Sequence, residues 1–91
     1  MNGHDGPEMA ELLDLRTKAQ KLKPTVFVGK EGVTSRVVWE LSKQLDKNRL
    51  VKAKLLHSVE GDVAQICRDL ARAAGAVLVE TRGRTAVFAR K

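Results

Sequence analysis

The chain has 91 residues with 17 Lys and Arg against 11 Asp and Glu, a net charge of +6, and a single cysteine. A chain of this length forms one small domain that buries about 60–65% of its unfolded surface, so its core is modest. The lone Cys67 excludes an internal disulfide or a cysteine-based zinc site, and no apolar run approaches the ~18 residues of a membrane span.

Residues 1 to 7, with Gly3, Gly6 and Pro7, read as a flexible tail outside the fold, and residues 8 to 91 as one domain. The N-terminus lacks a charged segment followed by an apolar run, so a soluble, cytoplasmic protein is expected. Residues 1 to 15 hold Asp5, Glu8, Glu11 and Asp14 and no Lys or Arg. The rest of the chain therefore sets 17 basic residues against 7 acids, or +10. A body that basic suits a polyanion, and nucleic acid is the commonest one; a protein-interaction module with an incidentally basic surface has the same composition.

Glu8 to Leu22 carries Leu12, Leu15, Ala19 and Leu22 at helical spacing. Its acids lie early and its bases late, as the helix dipole favours. Lys18, Lys21 and Lys23 follow the stripe closely, and Pro24 forces Lys23 into extended backbone. Thr25 to Val28 then reads as a short strand, apolar enough to be buried on both sides.

The next segment, Gly29-Lys30-Glu31-Gly32-Val33-Thr34, is a loop with glycines at both ends running into a helix. Glycine permits positive φ and the close approach of another backbone. Thr34 is placed to cap the helix, leaving other first-turn amides open. Open amides at a helix N-terminus bind anions, and phosphate is the usual one. Lys30 stands at the loop tip as a cation, although Glu31 beside it cancels its charge. The same spacing also occurs in ordinary strand-to-helix turns.

The second helix spans Thr34 to Asp46, with Val37, Val38, Leu41 and Leu45 as its core stripe and Arg36 on its first turn. Trp39 lies off that stripe; packing against the first helix is expected, with an exposed ring stacking on a base as the alternative. Arg49 to Leu56 alternates Val51, Ala53 and Leu55 with Lys52 and Lys54, the pattern of a half-buried strand with a basic outer face. Paired lysines are also how edge strands are protected. Ser58 to Ala74 reads as the third helix, with Cys67 on its core stripe and Gly75 ending it. Ala76 to Thr81 and Thr85 to Arg90 form a hairpin through Arg82-Gly83-Arg84, which puts Arg82 and Arg84 at its tip.

The order αβαβαββ implies parallel pairing of the strands that helices separate, plus an antiparallel hairpin. The expected class is α+β, a two-layer sandwich of helices on a four-stranded mixed sheet. No nucleophile–base pair, metal cluster or cofactor fingerprint is present, and His57 and the inward-facing Cys67 do not make one, so no enzyme, metal or cofactor is expected. Phe27, Trp39 and Phe88 are too few and too strand-bound for a base-stacking sheet, which leaves a loop that holds the backbone, as the G-x-x-G loop of KH domains does.

Leu22-Lys23-Pro24, Val26 to Gly29, Gly32-Val33-Thr34, Leu50-Val51-Lys52-Ala53-Lys54, Gly75 and Gly83 to Phe88 with Arg90 follow one another at spacings that resemble the CRM domain (chloroplast RNA splicing and ribosome maturation) in its stand-alone YhbY-like form. The resemblance covers residues 10 to 91. It implies a KH-like RNA-binding loop on the α/β architecture of the C-terminal domain of translation initiation factor three. It also implies a partner: stand-alone members are associated with precursors of the large ribosomal subunit. Trp39 departs from the family pattern, and His57 to Asp62 fits it loosely. The expected RNA-binding residues are Gly29, Lys30, Glu31, Gly32, Thr34 and Arg36, continued as a basic track through Lys18, Lys21 and Lys23, with Arg82 and Arg84 as further members. A monomer that binds ribosomal RNA is expected; an Alba-like coating protein for DNA or RNA shares the element order.

Overall fold

A computed structural model describes residues 9 to 91, so the expected tail at 1 to 7 lies outside the described residues. The elements are α1 (Met9–Ala19), β1 (Val26–Val28), α2 (Ser35–Lys47), β2 (Leu50–Leu55), α3 (Val63–Ala74), β3 (Ala76–Arg82) and β4 (Thr85–Arg90). The α+β class, the element order and the four-stranded mixed sheet are as the sequence implies.

The sheet runs β1-β2-β4-β3. β1 and β2 are parallel, with Phe27 opposite Lys54; β4 is antiparallel to both of its neighbours. β4 thus fills the gap that the α3 crossover leaves between β2 and β3. The hairpin closes through Gly83 (φ +57) and Arg84, a two-residue turn with glycine at the position that needs positive φ.

β4 shows how the layers divide. Ala86, Val87, Phe88 and Ala89 are all buried. Ala86 and Phe88 join the main core with Val26, Val28, Leu41, Leu45, Val51, Ala53, Leu55, Cys67 and Leu70, beneath α2 and α3. Val87 and Ala89 join Leu15, Ala19 and Val79 in a second, smaller core beneath α1. Successive strand residues point to opposite faces, so α1 covers the face opposite to α2 and α3. The two expected layers are present, and α1 adds a partial third.

Two helices are shorter than their periodicity suggests. α1 ends at Ala19 rather than Leu22, and the amides of Lys21 and Leu22 close tight turns on the carbonyls of Lys18 and Ala19. Those turns redirect the chain toward β1. α3 begins at Val63, not Ser58; Asp62 caps it by accepting from the amides of Ala64 and Gln65. Residues 56 to 62 form a loop that Arg84 ties down, its Nη2 donating to the carbonyls of Leu56 (3.0 Å) and Val59 (3.1 Å). Val59 is buried from that loop, which is why it mimics a helical core position in the sequence.

Candidate nucleic-acid interface

The glycine loop is set by both elements it joins. β1 is held on β2, and the bond from the Leu56 amide to the Val28 carbonyl (2.9 Å) extends that pairing to the base of the loop. The Gln44 side chain donates to the Thr25 carbonyl (3.2 Å), fixing the start of β1 to α2. Between them Gly29-Lys30-Glu31-Gly32 is a single tight turn, closed by the Gly32 amide on the Gly29 carbonyl (2.9 Å). Lys30 and Glu31 are its exposed corners.

Gly32 has φ +69, a conformation that a Cβ opposes. Gly29 is not in that region, and a Cβ on it would meet no atom within 4 Å. Of the two glycines, only Gly32 uses the positive φ that glycine permits. At Gly29 the space outside is open.

Thr34 caps α2 as expected, its Oγ1 accepting from the Val37 amide (3.2 Å) while its carbonyl takes the Val38 amide (3.0 Å). Of the amides that a helix start leaves without intrahelical partners, those of Thr34, Ser35 and Arg36 remain for an outside acceptor. Gly29, Lys30, Glu31, Gly32, Thr34 and Val37 line a groove at this end of α2. Arg36 is exposed on the first turn and paired with Glu40 (3.1 Å).

The track expected through Lys18, Lys21 and Lys23 begins at the opposite end of β1 from the loop. Lys18 lies on α1 and pairs with Asp14 (3.1 Å). Lys21 and Lys23 belong to the connection that enters β1 at its N-terminal end. Lys23 borders a depression with Lys52, Gln44 and Asn48. The glycine loop leaves β1 at the other end, so six extended residues put Lys23 roughly 20 Å from Gly29. A short strand separates these groups instead of joining them.

Other groups do share the loop's end of the sheet. β1 and β2 end there, and the β3–β4 turn stands there too, since Thr85 pairs with Lys54 and the Leu55 amide bonds the Arg84 carbonyl (2.7 Å). Arg82 is exposed at that tip, three strand spacings or about 14 Å from β1. Arg84 is withdrawn from the set, because its guanidinium is engaged with the 56 to 62 loop.

Three residues were missed as a group. Lys52 and Lys54 do not protect an edge, because β2 is paired on both sides. They stand on the outer face of the sheet, beyond Leu50, the β2 residue that packs into the core beneath α1. Phe27 stands beside them and is 52% exposed, so β1 is buried on one side only, contrary to expectation. The alternation from Leu50 to Leu55 announces a basic face; the run Val26-Phe27-Val28 gives no sign of which residue points out. Trp39 is also exposed, at 61%, with the Lys43 ammonium 5.7 Å from its ring centre. It cannot pack on α1, which lies on the far side of the sheet.

Cys67 is fully buried, and burial pushes its thiol pKa up, partly offset by the nearby Arg68 cation. It is a core residue and not a nucleophile. Among the described residues no group of three or more His, Cys, Asp and Glu could hold a metal ion, and no helix is long and apolar enough to cross a membrane.

The fold and the loop together define an α+β domain with a glycine turn between β1 and α2 and a groove at the N-terminal end of α2. Residues 8 to 90 match the CRS1 / YhbY (CRM) domain, and the chain belongs to that family. It is 32% identical over 74 residues to the probable RNA-binding protein YqeI of Bacillus subtilis (strain 168), covering 81% of this chain and 77% of that one. It is 38% identical over 71 residues to the probable RNA-binding protein MJ0652 of Methanocaldococcus jannaschii, covering 76% of this chain and 52% of the relative, so it spans about half of that protein. The solution structure of the hypothetical protein SAV1595 from Staphylococcus aureus has the same fold, with a TM-score of 0.77 over 90% of this chain and 85% of that one at 23% identity.

Proposed function

We propose that this protein is a non-catalytic RNA-binding protein that takes the RNA backbone at its glycine loop. The observation that carries the reading is the turn at Gly29 to Gly32, closed with Gly32 at φ +69, which opens the first amides of α2 to the outside. A phosphate there meets aligned N–H groups and the positive end of the helix dipole. Lys30 adds a point charge at the rim, and Arg36 and Arg82 extend the field along the same end of the domain. The net charge of +6 supports a polyanionic partner. Membership of the CRM family and the names of its relatives favour RNA over DNA.

Ribosomal RNA of large-subunit precursors is the proposed target, bound by a cytoplasmic monomer during ribosome assembly. This rests on what stand-alone members of the family are associated with. Two measurements test the reading: sequencing of the RNA that co-purifies with the tagged protein from its own cells, and titration with a structured RNA and a DNA duplex at one salt concentration. Enrichment of precursor ribosomal RNA and tighter binding to structured RNA are expected. Equal affinity for duplex DNA would instead indicate an Alba-like coating protein, and loss of all binding at moderate salt an interaction module.

A further inference from the structure

We propose that the uncovered half of the outer sheet face, centred on Phe27 and flanked by Lys52 and Lys54, is a second RNA contact that stacks one unpaired base. The proposal rests on the RNA-binding reading and adds a contact that the glycine loop does not supply.

The placement of Phe27 is imposed by the strand. Val26 and Val28 are fully buried on the α2 side, so the residue between them must point to the other face. There Phe27 is 52% exposed, because the second core beneath α1 reaches β2 only at Leu50 and does not extend to β1. Lys54 is its register partner on the adjacent strand, and Lys52 follows two residues along on the same face. Thr85 continues the row across β4, opposite Lys54. None of these outer-face positions on β1, β2 and the start of β4 is acidic; Glu80, on β3, faces Arg16 at 4.0 Å.

An apolar ring bordered by two ammonium groups and no acid matches a nucleotide better than it matches a protein surface. The ring offers a face for stacking and the lysines meet the flanking phosphates. The position also fits the loop. Phe27 stands two strand residues, about 7 Å, before Gly29 but on the face opposite to α2, so a chain with its phosphate on the α2 amides passes round the β1 edge of the sheet to lay a base on the ring. The base must be unstacked, as in a single strand, since a base inside a helix has both faces covered by its neighbours. Trp39, by contrast, lies on the solvent side of α2, away from this face.

The test uses the full chain with a fluorescein-labelled single-stranded oligoribonucleotide and a blunt RNA duplex, followed by anisotropy. Phe27→Ala should weaken single-strand binding about 5- to 150-fold, the range for loss of one base–aromatic stack, and leave duplex binding unchanged. Phe27→Trp should bind at least as well as the parent. Because Trp39 is the sole tryptophan and there is no tyrosine, the double variant Trp39→Phe/Phe27→Trp reports on this face alone. Its fluorescence should be quenched by the oligonucleotide, while that of the parent should not. Binding with no quenching in the double variant and no loss in Phe27→Ala would overturn the proposal and leave the loop reading standing. Failure of every protein to bind either RNA would overturn both. A dimer in sedimentation that Phe27→Ala dissociates would assign the face to self-association and overturn the stacking role.

Discussion

The two glycines of the loop differ in a way that separates folding from binding. Gly32 sits at φ +69, where an added Cβ costs about 1–2 kcal/mol. Gly29 has an ordinary φ and open space around its missing Cβ, so Gly29→Ala should be neutral or stabilise by up to about 1 kcal/mol through the unfolded chain. A domain of this size shifts its Tm by about 4–8 °C per kcal/mol. Gly32→Ala should therefore melt roughly 4–16 °C below the parent, and Gly29→Ala at or slightly above it. With a total stability of about 5 kcal/mol or more, both variants stay overwhelmingly folded at 25 °C, and any loss of binding belongs to the site. If RNA backbone approaches the loop amides, the Cβ of Gly29→Ala intrudes on it, and affinity for a structured RNA should drop about tenfold, or 1.4 kcal/mol. Gly32→Asp, which adds bulk and an anion together, should nearly abolish binding. The assay is anisotropy at low salt, beside thermal melts by circular dichroism. Full-strength binding by Gly29→Ala and by a folded Gly32→Asp would show that RNA does not enter at this loop.

Contact with about four to six phosphates should make affinity fall on the order of a hundredfold or more between 50 and 200 mM salt, and a flat response would remove the clamp argument. Lys30→Ala should weaken binding about fivefold at low salt and lower the salt slope by about one, while Glu31→Gln should strengthen it slightly; equal slopes for parent and Lys30→Ala would exclude Lys30 from phosphate contact. Arg84→Ala breaks two charged hydrogen bonds to the 56 to 62 loop and should cost about 2 kcal/mol, lowering the Tm by roughly 10 °C without changing the salt slope, whereas Arg82→Ala should do the reverse. The raised pKa of Cys67 means that the unfolded thiol ionises first as pH rises, so stability should decline above about pH 8.5, the ordinary thiol value. A Cys67→Ala variant should lose that decline, and native protein should resist thiol alkylation until it unfolds.

The local elements and the chemistry of the loop are legible in the order of the residues. Helical spacing at Val37, Leu41 and Leu45, alternation at Val51, Ala53 and Leu55, the Thr34 cap and the Gly75 stop are interactions within a few residues, and each stands in the structure where its pattern puts it. The groove at Gly29 to Thr34 follows from the same local rules. Which faces are covered is settled by long-range packing. An alternating strand states that two faces differ, but not what lies over each; that depends on β4 inserting beside β2 and on α1 crossing to the far side. Those two events make Lys52 and Lys54 residues of a central strand, turn Phe27 outward beside them, deny Trp39 a partner on α1, and remove Lys18 and Lys23 from the loop. Arg84 illustrates the same limit at one residue. As a hairpin-tip arginine it reads as a free cation, and only the fold brings to it the carbonyls of Leu56 and Val59. Periodicity records how a segment divides apolar from polar, whereas the neighbour that buries each side is chosen by contacts distant in sequence.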